Sequence, residues 1–428
     1  MKILIKNADI ITLDDQQMLL KSANIAIEGN KIIYVGQHQP EHFTPDKTID
    51  GANKLVMPGL INAHTHSPMS LLRNYADDMS LQQWLFKHII PRENQFSQED
   101  IYNGAMLGIA EMIKSGTTCF ADMYLHMDEV AQAVTDSGIR ALLSKGSLIS
   151  AHRDNNKIIV DEIGCKKYFN QWHNSANGRI TTCLEIHSVY FYDETSLRAA
   201  AELAKHLNTI IHIHLMETEA ERDISLKMYN KTSVEACVEF GLFDVPVIAA
   251  HGVHLSTHEM KILQQYGVSI VHNPSSNLKL GSGIADIKQM QTLGINIALG
   301  TDGAASNNNV NMFEEMHLAA LLHKGVKMDS TILNAESVLK MATINGAKAL
   351  GLEQTISQIA VGMHADLIMI NMDELHLLPL HNHISSIVYS VQASDVDTVI
   401  IDGNIVMEKR ELLTVDEEKI KYFARKIC

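Results

Sequence analysis

The chain has 428 residues, 46% of them apolar and 20% charged. That is the balance of a globular protein of two or three domains, or of one large barrel with an annex, and it excludes wholesale disorder. Acidic residues outnumber basic ones by 50 to 35, a net charge of −15, which opposes binding to duplexes and other phosphate-rich surfaces and excludes nucleic acid as the main partner.

From the N-terminus, the apolar runs of MKILIKNADIITLDD are broken by Lys6, Asn7 and two aspartates, so the segment lacks the continuous core of a secretory leader. No stretch approaches 18 uncharged apolar residues, so no transmembrane helix is expected. The five cysteines, Cys119, Cys165, Cys183, Cys237 and Cys428, are far apart and form no C-x-x-C pair. They suit a reducing compartment rather than a disulfide framework. A cytoplasmic protein with no membrane partner is the expectation.

Short β-rich runs at 3–5, 24–27 and 31–35 open the chain, with the turn Glu28-Gly29-Asn30 between the last two. Similar runs at 366–370, 384–391 and 398–401 close it, followed by the turn Asp402-Gly403-Asn404 and the run Ile405-Val406-Met407. Two β-rich ends predict one composite β-sandwich domain from residues 1–57 and 355–428, since chain ends often lie together.

Residues 58–354 alternate differently. β-branched runs at 55–61, 117–123, 141–145, 181–187, 210–215, 247–251, 269–272 and 296–300 are separated by amphipathic stretches such as 101–114, 194–207, 232–240 and 311–322, and 335–350 ends the series. Eight β–α units over this length predict an α/β fold, a (β/α)8 TIM barrel. A doubly wound sheet of the dinucleotide-binding kind lacks its G-x-G-x-x-G.

Histidine is abundant, 22 residues, and it is the commonest metal ligand. Barrel enzymes place their chemistry at the C-terminal ends of the strands. Six of the eight runs end there in histidine or aspartate: His64 and His66, His187, His212 and His214, His251, His272, and Asp302. His64 and His66 are two apart, which on a strand turns both imidazoles to one face, where they can share a divalent cation. His212 and His214 share the same parity. His214, nearer the strand end, is the expected ligand, and His212 is expected to be packed or hydrogen-bonded lower in the barrel. Glu217, on the loop three residues on, can reach a metal-bound water without binding the metal. Asp302, before Gly303, would suit a plain turn, but its place after an apolar run favours a metal ligand and proton acceptor. His251 can face the open position of the metal.

The segments PGLINAHTHSPMSLLRNYADDMSLQQWL, DMYLH, IHLMETEAE, HGVHL, HNPSSNLKLGSGIADI and LGTDGAASNNNVNMFEEM, with MHADLIMI and VIIDGNIV near the end, resemble the amidohydrolase superfamily. They are closest to its 5-methylthioadenosine/S-adenosylhomocysteine deaminases, with triazine hydrolases as relatives. The resemblance covers nearly the whole chain and implies a (β/α)8 barrel with a composite β-sandwich. It implies His64, His66, His214 and Asp302 as metal ligands, Glu217, His251 and Asp302 as the catalytic residues that handle protons, and His187 and Glu217 on the purine ring. Trp84 and Glu93 fall at the family positions that cover the nucleoside and bind its ribose hydroxyls. Lys145, with Arg153 or Lys157, falls where some members hold a homocysteine carboxylate. Two-metal relatives need a carboxylated lysine on the fourth strand. That strand ends here in His187, so one ion is expected, Zn2+ first and Fe2+ as the alternative. The implied reaction is hydrolytic deamination at C6 of an adenine nucleoside: adenosine, 5′-methylthioadenosine or S-adenosylhomocysteine. The alternatives are another amino-heterocycle such as guanine, a pterin, cytosine or a chlorotriazine, or a metal-free scaffold, which would be expected to have lost ligands. The expected partner is the small-molecule nucleoside, and a homo-oligomer is left open.

Overall fold

A computed structural model of the chain describes residues 1–14, 17–146 and 160–427. The N-terminal segment forms β1 (Lys2–Ile11), β2 (Leu19–Glu28), β3 (Lys31–Gly36), β4 (Lys47–Asp50) and β5 (Lys54–Pro58). Eight parallel strands follow: β6 (Leu60–Thr65), β7 (Thr117–Met123), β8 (Arg140–Gly146), β9 (Ile180–Ile186), β10 (Ile211–Leu215), β11 (Val247–His251), β12 (Ser269–His272) and β13 (Ile297–Leu299). The chain ends with β14 (Leu367–Asn371), β15 (Val396–Ile401), β16 (Asn404–Glu408), β17 (Glu411–Leu412) and a terminal helix, Glu417–Lys426.

The strands from the two termini make one mixed sheet in the order β17-β16-β15-β14-β5-β1-β2-β3, with β4 beside β1. The join is the antiparallel pair of β14 with β5, Leu367 opposite Pro58. Ile3, Ile5, Ile25, Leu367, Met369 and Ile400 fill its core. The two turns foreseen in the sequence dock on each other. Gly403 has φ +72°, and a Cβ there would lie 2.0 Å from the carbonyl oxygen of Gly29, so only glycine fits.

The barrel strands run β6 to β13 in chain order. They are buried almost throughout, as parallel strands covered on both faces must be. The seam between β13 and β6 is closed by Asp302 N–H donating to the His64 carbonyl (3.0 Å) and by Asn62, whose Oδ1 accepts from Thr301 N–H at 3.0 Å. This seam is what brings Asp302 to the first strand.

Two expectations need correction. The run 55–61 is not one barrel strand. It splits at Gly59 into the end of β5 in the terminal sheet and the start of β6 in the barrel. A Cβ at Gly59 would lie 2.0 Å from the Thr118 hydroxyl, so the chain can cross between the two sheets only at a glycine. The run 384–391 is not a strand but mostly the helix His383–Tyr389. Asn382 caps it by accepting from Ser385 N–H, and Ile387 and Val388 are buried. The stretch 335–350 is broken into Ala335–Met341 and Ile344–Ala349.

At the bottom of the barrel, Arg140 opens β8 and holds Asp366 bidentately (2.7 and 3.0 Å) and Asp402 at 3.1 Å, all buried. His364 Nδ1 is 2.7 Å from Asp402. The cluster ties the terminal sheet to the barrel. Arg140→Met should leave two buried carboxylates uncompensated and destabilise the fold by about 3–5 kcal/mol, seen as a lower midpoint in chemical denaturation. An unchanged midpoint would show that the cluster contributes nothing.

Candidate metal centre and catalytic cavity

His64 lies on the last turn of β6 and His66 just past it, both directed into the barrel mouth. Each histidine of the cluster is oriented through its other nitrogen. His66 Nδ1 is 2.6 Å from the Met123 carbonyl, and His214 Nδ1 is 2.7 Å from the His187 carbonyl. A carbonyl can only accept, so these Nδ1 atoms carry the protons and leave Nε2 free. His64 Nδ1 is 2.9 Å from His212 Nε2, and His212 Nδ1 is 2.9 Å from Ser144 Oγ. His212 therefore supports His64 from below, as its parity suggested.

The freed atoms converge. His66 and His214 bring their Nε2 atoms to 3.3 Å, and Asp302 Oδ1 is 3.5 Å from His64 Nε2 and 3.1 Å from His66 Nε2. His64 Nε2 is buried with no hydrogen-bond partner. A tetrahedral ion with bonds of about 2.0–2.1 Å spaces its ligands by roughly 3.3–3.5 Å, so the donor set fits a single cation. Burial lowers His64 to about 4 and His214 well below its usual range, which keeps both imidazoles neutral as ligands must be. Asp302 is steadied by the hydroxyls of Ser276 (2.6 Å) and Ser306 (2.9 Å) on Oδ2 and by Gly303 N–H on Oδ1 (2.8 Å). Burial would raise its carboxyl, but hydrogen bonds from His64 and His66 and the charge of His66, whose pKa is raised against burial to about 9 by the pairing with Asp302, hold it well below the usual range.

Three residues at or just past strand ends, Met216, His251 and Asp302, adopt left-handed φ of +52°, +79° and +60°. Such strain gathers where function over-determines the backbone. Past Met216, Glu217 turns back over the cluster. Its Oε1 accepts from Ser282 Oγ at 3.3 Å, and its Oε2 lies 3.9 Å from His251 Nε2. Burial raises its carboxyl, which suits a group that must take up and release protons. His251 donates through Nδ1 to Asn277 Oδ1 (2.8 Å), which leaves Nε2 facing the cluster.

These groups open onto one cavity at the barrel mouth. His187, lowered by burial to about 3, lines it edge-on to Phe191. On another wall stand Trp84, Glu93 and Tyr124; the Tyr124 hydroxyl lies beside the Glu93 carboxyl, and among the described residues the buried indole Nε1 and Glu93 Oε1 have no hydrogen-bond partner of good geometry. Burial raises the Glu93 carboxyl, with the neighbouring Tyr124 hydroxyl acting the other way.

The structure thus gathers His64, His66, His214, Asp302, Glu217, His251, His187, Trp84 and Glu93 around one cavity. Lys145 is not among the residues that line it; its ammonium lies 5.9 Å from the centre of the Tyr168 ring and within electrostatic reach of Glu185 on the cavity wall. Arg153 and Lys157 fall outside the described residues. Sequence reasoning passed over Tyr124, just past the end of β7, and Glu185, which strand periodicity puts on the same face as His187. It also passed over Ser276, Ser282 and Asn277, which carry no signal of their own.

The amidohydrolase family model matches residues 55–406. A 5-methylthioadenosine/S-adenosylhomocysteine deaminase from Acetivibrio thermocellus is 57% identical, covering 100% of this chain and 99% of its own. One of the same description from Thermoanaerobacter pseudethanolicus is 49% identical over 100% and 98%. Among solved structures, an adenosine deaminase from Xanthomonas campestris with bound zinc superposes with a TM-score of 0.93 at 33% identity, covering 99% of this chain and 97% of that one. An atrazine chlorohydrolase from Arthrobacter aurescens complexed with zinc superposes with a TM-score of 0.91 at 25% identity over 99% of both. The chain belongs to the amidohydrolase family, in its 5-methylthioadenosine/S-adenosylhomocysteine deaminase branch.

Proposed function

We propose that this protein hydrolytically removes the 6-amino group of an adenine nucleoside, giving the inosine analogue and ammonia, with one divalent ion, Zn2+ first, held by His64, His66, His214 and Asp302. The observation that carries the reading is the convergence of three Nε2 atoms and one carboxylate oxygen at ligand spacing, with Glu217 and His251 beside them. When bound, the ion supplies Lewis acidity that brings the pKa of water toward about 7.

The residues do the rest. Glu217 carries one proton of the attacking water to the ring nitrogen next to C6, and Asp302 takes the other on to the amino group, so the C6–N bond breaks as ammonia leaves and a C6 carbonyl remains. His251, fixed by Asn277, points Nε2 at the attacking oxygen as addition proceeds. His187 hydrogen-bonds the purine. Glu93 accepts from both ribose hydroxyls, which would use the Oε1 that lacks a partner. Trp84, on the same wall as Glu93, covers the nucleoside in this reading.

Ultraviolet-followed deamination of adenosine, methylthioadenosine and S-adenosylhomocysteine, beside guanine, cytosine, a pterin and a triazine, tests the reading. Nucleosides should lead. Glu93→Ala should raise KM for adenosine and methylthioadenosine alike by roughly 1–3 kcal/mol of lost binding and leave a free base unaffected. Unchanged nucleoside kinetics in that variant would point to a free-base or triazine substrate.

A further inference from the structure

A carboxyl taken out of water is stable only if donors replace the water. Most buried carboxyls of this chain obey that rule. Asp122 accepts from the backbone and hydroxyl of Ser67, Glu259 from Arg222 and Ser256, and Glu315 from Asn307 and Ser275. Three on the wall of the catalytic cavity are underused. Glu217 has one long bond to Ser282, and Glu93 has an oxygen with no partner. Both already have a role in the proposed reaction. The third is Glu185, 7% exposed, which accepts no hydrogen bond from any described residue.

Glu185 is not a stray surface acid. It is one residue from the end of β9, inward like His187, and level with Gly146 on β8. A Cβ at residue 146 would lie 2.6 Å from the Glu185 Cβ and 2.5 Å from its carbonyl oxygen, so β8 gives way to it. Burial pushes its carboxyl up to about 7, while His66 and Lys145 pull it down and Asp122 pushes it up. Those neighbours belong to β6, β8 and β7. Glu185 therefore stands beside β8 on the wall of the cavity that Glu93 and Tyr124 also line. A nucleoside with its amino group at the metal centre and its diol on Glu93 has one part left to place there, the 5′ arm.

We propose that Glu185 is a specificity-determining residue that accepts a hydrogen bond from a donor on the 5′ arm, a 5′ hydroxyl or the ammonium of an amino-acid arm. A methylthio arm, which has no donor, does not use this contact. The inference rests on the adenine-nucleoside reading above.

The test compares kcat/KM for adenosine, 5′-deoxyadenosine, methylthioadenosine and S-adenosylhomocysteine in the wild-type metalloenzyme, Glu185→Ala and Glu185→Gln. Ratios between two substrates on one preparation cancel any loss of folded or metal-loaded protein. In Glu185→Ala, the adenosine to 5′-deoxyadenosine ratio or the S-adenosylhomocysteine to methylthioadenosine ratio should fall about tenfold or more, the scale of one hydrogen bond to a charged acceptor. Glu185→Gln keeps an acceptor oxygen but no charge. It should preserve the first ratio if the hydroxyl is read and lose the second if the ammonium is read. Both ratios staying within about twofold in Glu185→Ala would overturn the proposal, whether or not absolute rates fall. A wild-type enzyme that deaminates none of the four would overturn the nucleoside reading first, before any variant is compared.

Discussion

Glu217→Gln is expected to lower kcat by about 10²-fold or more, the usual scale for a positioned acid–base group, while metal content stays unchanged. The substitution keeps the side-chain volume and an oxygen that can still accept from Ser282 Oγ, now 3.3 Å away. It removes the ability to take a proton. Among the described residues Glu217 is in neither group of side chains at ligand spacing, and its Oε2 lies 3.9 Å from His251 Nε2. Loss of the ion in this variant would make Glu217 a ligand and overturn its assignment as proton carrier.

Elemental analysis should find about one divalent ion per chain, and His66→Ala should strip it and lower turnover by about 10³-fold or more, since Lewis-acid assistance contributes several kcal/mol and each 1.4 kcal/mol is tenfold. The physical reason lies in the contacts of His66. Its Nε2 faces the Nε2 of His214 at 3.3 Å and Asp302 Oδ1 at 3.1 Å, and its Nδ1 is committed to the Met123 carbonyl. Two imidazole lone pairs and a carboxylate meet at one point, an arrangement that repels itself without a cation or proton between them. Two ions per chain, or full occupancy in His66→Ala, would show that the site is built differently.

Much of this centre was legible before any coordinates. The β–α alternation marked the barrel, and histidines at the ends of its β-branched runs marked the mouth, because a parallel strand delivers its last inward residues to one rim. The two-residue spacing of His64 and His66 sufficed to put them on one face, and nearness to the strand end separated His214 from His212. Other features depended on neighbours that no local pattern encodes. Run 55–61 looked like one strand because apolar β-branched residues suit either sheet, and only the Thr118 side chain against Gly59 shows where the chain changes sheets. Residues 384–391 are apolar enough for a strand, but the Asn382 cap and packing on neighbouring helices make most of them a helix. Lys145 was placed by analogy of position, and its neighbours in space, Tyr168 and Glu185, come from the fold alone.

By itself, then, the sequence determined the barrel, the rim on which its chemistry stands, and which residue types meet there, since these follow from strand periodicity and side-chain chemistry. The tertiary structure alone decided that closure of β13 onto β6 carries Asp302 to the histidines. It also decided that His212 and two backbone carbonyls aim the ligating nitrogens, and that Glu185 lines the cavity with no hydrogen-bond partner among the described residues. Distance between strands remote in sequence sets all three, and local pattern carries no record of that distance.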